Sequence, residues 1–187
     1  MANRLVGKKI ALLLEEGYED TEVTAPLNFF KEEGASVRFI GSGRKTVFNS
    51  RYGASLSADI SASEARLSDF DAFIIPGGFA PEKMRLSDSM VKLISDADEN
   101  GKIIAAIGRG PQLLVSAGAV RDRMVTCYAG IVIDLKNAGA YYVDEPVVRD
   151  GNIITSRTIP DLQEFLELVT EALGSSSVLQ KSMFAGA

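Results

Sequence analysis

The chain has 187 residues, 46% of them apolar and 24% charged, with a net charge of −5. That balance excludes a disordered polymer, and the absence of a basic run argues against nucleic acid or an anionic membrane surface as a partner. Histidine is absent and Cys127 is the single cysteine. Mechanisms of the Cys-His, Ser-His-Asp and histidine–metal types are therefore excluded, as is an internal disulfide.

A lone cysteine fits a reducing, cytoplasmic setting. The N-terminal stretch MANRLVGKK precedes only a short apolar run, so neither a signal peptide nor a membrane span is expected. The length suits one domain over 1–187, with a core over about 9–174 and a small, polar tail over 175–187. That tail is expected to be loosely ordered or to pack on a partner.

In chain order, Lys9–Leu14 reads as a buried strand and about Glu19–Glu33 as a helix stopped by Gly34, with Val23, Leu27 and Phe30 on one face. Val37–Ile40 is a second short strand. Val47–Ala58, punctuated by Asn49, Ser50 and Gly53, has no helical period and reads as a hairpin or extended segment. Ala72–Ile75 is an apolar strand leading into Pro76-Gly77-Gly78. Ser87–Glu99 reads as a helix with Ser87 as its N-cap. Ile103–Ile107 is a continuous Ile/Ala strand, followed by the turn Gly108-Arg109-Gly110 and a helix opened by Pro111.

Further on, Val125–Tyr128 reads as a strand and Ile131–Asn137 as a helix stopped by Gly139. Val147–Val148 and Ile153–Thr155 read as a hairpin across Asp150-Gly151. Asp161–Leu173 is an amphipathic helix closed by Gly174. Strands alternating with helices predict an α/β fold with a mostly parallel sheet covered on both faces. Ligands of such sheets sit at the carboxyl ends of the strands, which here carry Glu15–Glu22, Pro76–Gly78 and Gly108–Gly110. The strand-to-helix elbow at Gly108 is the kind of strained turn on which α/β hydrolytic enzymes expose a nucleophile.

The stretches ALLLEEGYEDTEVTAPLNFFKEEGASV, DAFIIPGG, AAIGRGPQLL, VTCYAGIVIDLKNAGAYYVDEPVV and NIITSRTIPDL together resemble the ThiJ/PfpI superfamily, closest to its intracellular-protease-I-like branch. The resemblance implies a flavodoxin-like three-layer sandwich of the class I glutamine amidotransferase type. It also implies assembly into a homodimer or higher homo-oligomer, and no cofactor or metal. Peptidase, glyoxalase or deglycase, isonitrile hydratase and chaperone roles all occur among its members. Its elbow normally reads A-I-C-H-G; the matching positions here are Gly108 for the cysteine nucleophile and Arg109 for the histidine. The family's carboxylate matches Glu22, its oxyanion-holding glycine pair Gly77 and Gly78, and its pocket tyrosine Tyr128.

Glycine at the elbow relaxes a backbone that strains other residues, which suffices to explain Gly108. Arg109 has two readings: a guanidinium fork that holds a small anion with the N–H groups of Gly77, Gly78 and Gly110, or a partner that neutralises Glu22 or an acid across a subunit interface. The neutralising role, on Glu22 or on an acid across an interface, is favoured over the anion site. Glu19 shares a helix face with Glu22, yet more simply complements the helix dipole than forms a catalytic pair. Cys127, one residue from Tyr128, should point away from the pocket and be inert. The resulting expectation is a ThiJ/PfpI-like protein without the catalytic cysteine and histidine, serving as a non-catalytic anion-binding or structural module, a pseudoenzyme. The alternatives are an enzyme of the protease, glyoxalase or deglycase kind using Glu22-assisted chemistry without a cysteine, or a chaperone-like oligomer.

Overall fold

The computed structural model describes residues 3–184, with side chains up to Gly174. In chain order its strands and α-helices are β1 (Lys9–Leu14), α1 (Asp20–Glu32), β2 (Ser36–Gly41), β3 (Val47–Asn49), β4 (Ser55–Ser57), β5 (Ile60–Ser61), β6 (Ala72–Ile75), α2 (Ala80–Met84), α3 (Asp88–Glu99), β7 (Ile103–Ile107), α4 (Pro111–Ser116), β8 (Met124–Val125), α5 (Val132–Asn137), β9 (Tyr141–Tyr142), β10 (Val147–Asp150), β11 (Ile153–Ser156) and α6 (Leu162–Phe184). The central sheet runs β10-β11-β7-β6-β1-β2-β5. All its pairs are parallel except β10 with β11. The helices flank this sheet, α1 meeting α6 and α4 meeting α2, α3 and α5, in the flavodoxin-like arrangement that the alternating pattern implies.

β1, β6 and β7 are buried almost throughout because both faces of a parallel sheet are covered. From β1 the chain moves outward to β2 on one side, and later fills β6, β7 and β11 on the other. The strand order therefore reverses between β1 and β6, which opens a crevice at their carboxyl ends. In register, Ile75 lies beside Ala106 and Ser156 beside Ile107, so the residues following β6, β7 and β11 emerge at one level.

Most expected elements are present. Gly34 ends α1 with φ +89°, Gly151 turns the β10–β11 hairpin with φ +61°, and Val47–Ala58 forms the β3–β4 hairpin. Three expectations need correction. Met124–Val125 alone is strand, because the next donors leave the ladder: Thr126 N–H goes to the Thr155 hydroxyl and Tyr128 N–H to the carbonyl of Gly108. Ser87 stands at the N-cap of α3, but its hydroxyl bonds the Ser42 carbonyl rather than the helix.

Gly174 does not close the last helix. Its φ is not positive, so no left-handed cap forms, and α6 continues to Phe184. Whether the tail packs on a partner concerns side chains after Gly174, which lie outside the described residues. Among the described residues, no helix is long and apolar enough to cross a membrane.

Candidate functional site

A cavity of about 320 Å³ opens at the point where the strand order reverses. Each neighbouring strand end supplies part of its wall: Glu19 and Glu22 follow β1, Gly78 and Phe79 follow β6, Gly108 and Arg109 follow β7, and Arg157–Pro160 follow β11. Tyr128 and Arg51 complete it, the latter from the β3–β4 hairpin. Of the residues expected at the site, Glu22, Gly78, Gly108, Arg109 and Tyr128 line the cavity. Gly77 and Gly110 are not part of its lining.

Glu22 sits in the first turn of α1 and is only 5% exposed. Its Oε2 accepts the N–H of Gly77 at 2.6 Å. Its Oε1 has no partner among the described residues and faces the elbow, where a Cβ on Gly108 would come within 2.8 Å of it. Gly108 adopts φ +61°, the left-handed geometry that suits glycine, and its missing side chain leaves room that the carboxyl uses. Burial pushes the Glu22 carboxyl up to about 7. The charge of Glu19 adds to that rise, while the Gly77 bond and the Arg51 charge oppose it without overcoming burial.

Arg109 does not pair with Glu22, the first of the acids that it was expected to neutralise. Its guanidinium lies over the rings of Tyr128 and Phe79, 5.3 and 5.6 Å from their centres, and reaches Glu82 on α2 at 3.2 Å. Two aromatic faces and an outer carboxylate draw the side chain along the cavity wall, away from the carboxyl it was expected to neutralise. Glu22 therefore has no bonded cation among the described residues to offset the effect of its burial. Glu19 does have one: Arg51 donates to it at 2.9 Å and lies 4.8 Å from the centre of the Phe79 ring.

The N–H donors also differ from expectation. That of Gly77 is used by Glu22 and that of Gly110 by the Ile107 carbonyl, so neither is available to a ligand. Gly110 is needed for close packing: a Cβ there would come within 2.4 Å of the Ile75 carbonyl oxygen. The N–H groups of Gly78 and Arg109 have no acceptor among the described residues, and both residues line the cavity. Arg109 N also lies near Glu22, since a Cβ on Gly77 would touch both, at 2.9 Å from the nitrogen and 2.6 Å from Oε2.

Cys127 is 1% exposed, and burial pushes its thiol up to about 12, so it behaves as an inert core residue as expected. Arg51, Phe79 and Arg157–Pro160 were not foreseen as site residues. Arg157 does fall in the stretch NIITSRTIPDL that carries part of the family resemblance, and Phe79 directly follows the glycine pair. Arg51 reaches the site only through the fold of the hairpin, and no local pattern marks it.

Comparison with known proteins places this architecture. Residues 8–172 match the model of the DJ-1/PfpI family. The chain is 39% identical over 165 residues to deglycase PfpI of Pyrococcus furiosus, covering 86% of this chain and 99% of that one. It is 39% identical over 172 residues to protein/nucleic acid deglycase 2 of Escherichia coli, covering 91% and 100%. A two-domain protein of Anabaena variabilis with DJ-1/ThiJ/PfpI-like and ferritin-like domains superposes with a TM-score of 0.87 at 42% identity. That match covers 89% of this chain, which spans about half of the two-domain protein, 48% of its length. Full-length similarity to proteins named as deglycases overturns the expectation of a non-catalytic binding or structural module and gives the pseudoenzyme reading no support. The chain belongs to the DJ-1/PfpI family.

Proposed function

We propose that this protein is a deglycase-type enzyme that works without a thiol, with Glu22 as its proton carrier. The resemblance implies a cysteine and a histidine at the elbow, where this chain has Gly108 and Arg109, and the one thiol, Cys127, is buried with a pKa raised by burial. A thiol mechanism is therefore closed to it, while a carboxyl able to give and take a proton near neutral pH lines the cavity. The observation that carries the reading is the Glu22 carboxyl itself, buried, with Oε1 unpartnered toward the elbow.

The substrate class is a 2-oxoaldehyde adduct of an amine or thiol, R–NH–CH(OH)–CO–R′ in the amine case. Ionised Glu22 takes the proton from the carbinol carbon, and the electron pair moves onto the neighbouring carbonyl. The N–H groups of Gly78 and Arg109, which have no acceptor among the described residues, serve as donors to the resulting enediolate oxygen in this scheme. Protonated Glu22 then returns the proton to the former carbonyl carbon, and the carbinol hydroxyl proton passes to the neighbouring alkoxide oxygen, giving the amide R–NH–CO–CH(OH)–R′. Ionised Glu22 then takes a proton from water as its oxygen adds to the amide carbon, and returns that proton to the nitrogen as the C–N bond breaks, releasing the free amine and a 2-hydroxy acid. No atom is oxidised by an outside agent, because the aldehyde carbon is oxidised as its neighbour is reduced.

The test is lactate and free amine released from preformed methylglyoxal adducts of an amino-acid derivative, with spontaneous reversal subtracted. Glu22→Gln is expected to lower turnover by about 100-fold or more, as loss of a positioned acid–base group does. Full turnover in Glu22→Gln would overturn the proposal.

A further inference from the structure

Three guanidiniums line the cavity, and they are not equally engaged. Arg51 is fixed on the buried Glu19 carboxylate. Arg157 is held twice, by Asp144 at 2.9 Å and by Asp161 at 3.1 Å. Among the described residues Arg109 has one counter-ion, Glu82, at 3.2 Å, in a pair whose side chains are 32% and 52% exposed. Water competes freely for such a pair, so an anion entering the cavity displaces Glu82 at little cost. The rings of Tyr128 and Phe79 meanwhile hold the guanidinium in place without consuming its planar N–H fork, the geometry that grips a carboxylate or phosphate through two parallel bonds.

Cavity size points the same way. About 320 Å³ lies at the lower end of the range for pockets that enclose drug-sized ligands, well above what a three-carbon unit fills. Arg109 also supplies a backbone N–H beside Glu22. Glu22 and Arg109 line the same cavity, so a substrate that reacts at Glu22 shares that space with the guanidinium.

Resting on the deglycase reading of this cavity, we infer that Arg109 selects 2-oxoaldehyde adducts whose far end carries an oxyanion, a carboxylate or a phosphate, over the uncharged methylglyoxal adduct. The corresponding products are 2-hydroxy acids with a second anionic group. Neutral adducts still fit, but leave the guanidinium on Glu82.

The selection is tested by calorimetric binding of product acids at fixed pH, which does not require turnover. Lactate represents the uncharged side chain, malate the terminal carboxylate and 3-phosphoglycerate the terminal phosphate. Malate, 3-phosphoglycerate or both should bind about tenfold or more tightly than lactate, and whichever wins identifies the anion. Arg109→Gln should remove the preference. Arg109→Lys, which keeps the charge but loses the fork, should retain part of it for the phosphate. Equal binding of all three acids, no binding of any, or a preference that survives Arg109→Gln would overturn the inference. Failure of wild-type turnover with selective binding intact would instead overturn only the deglycase reading.

Discussion

The Glu22 carboxyl is held by the fold at about 7, against an ordinary 4.5, so the folded chain keeps a proton there that the unfolded chain has already lost. The sign follows from that difference. Glu22 disfavours folding least below the unfolded value, its cost grows as pH rises between the two values, and it is complete above the folded one. The full cost is roughly 3 kcal/mol. Glutamine cannot ionise and keeps an oxygen for the Gly77 N–H. Glu22→Gln should therefore stabilise the protein more at pH 8 than at pH 5, by an amount of that order. Chemical denaturation of both proteins at the two pH values measures it, and a difference independent of pH would mean that Glu22 is not held neutral. Gly108 and Arg109 are legible in the sequence because a strand-to-helix elbow is a local pattern, and Glu22 is legible through the resemblance to the ThiJ/PfpI superfamily. The direction of the Arg109 side chain is not, since it depends on Phe79, Glu82 and Tyr128, which arrive from two other segments.

Elements were most readable where the chain punctuates itself. β1, β6 and β7 are unbroken apolar runs, and Gly34 and Gly151 take the positive φ that a stop and a tight turn require. Errors fell where glycine or a β-branched run had another use. Gly174 lies inside α6 without a positive φ, and a Cβ there would meet nothing within 4 Å among the described residues. Gly174→Ala should therefore stabilise the fold by up to about 1 kcal/mol, mainly by restricting the unfolded chain. Thermal unfolding would show it, and a lowered midpoint would contradict an uninterrupted helix. Gly78 makes the opposite case: φ is +74°, and a Cβ would lie 2.5 Å from the Gly17 carbonyl oxygen and 2.6 Å from Glu19 N. Both are backbone atoms that cannot swing aside. Gly78→Ala should cost about 2 kcal/mol or more and disturb the wall that carries Glu19, read as a drop in denaturation midpoint. An unchanged midpoint would show that the turn yields.

At the level of the whole molecule, the site is a product of strand order. Reversal between β1 and β6 opens the crevice, and parallel register brings four strand ends to one level so that segments more than a hundred residues apart share a cavity. The alternating sequence pattern foretells such a crevice and the strand ends that face it. It does not foretell that the β3–β4 hairpin folds back to add Arg51, or that β11 delivers Arg157, because those placements are set by packing between distant segments. The central claim is that the cavity runs acid–base chemistry on a carboxyl rather than a thiol. Its most direct measurement is the pH dependence of kcat/KM for a methylglyoxal adduct in the wild type, Cys127→Ala and Glu22→Gln. The rate is expected to rise with pH to a plateau with a midpoint near 7, the same in Cys127→Ala and lost in Glu22→Gln. A rise that follows a thiol, vanishing in Cys127→Ala and persisting in Glu22→Gln, would contradict it.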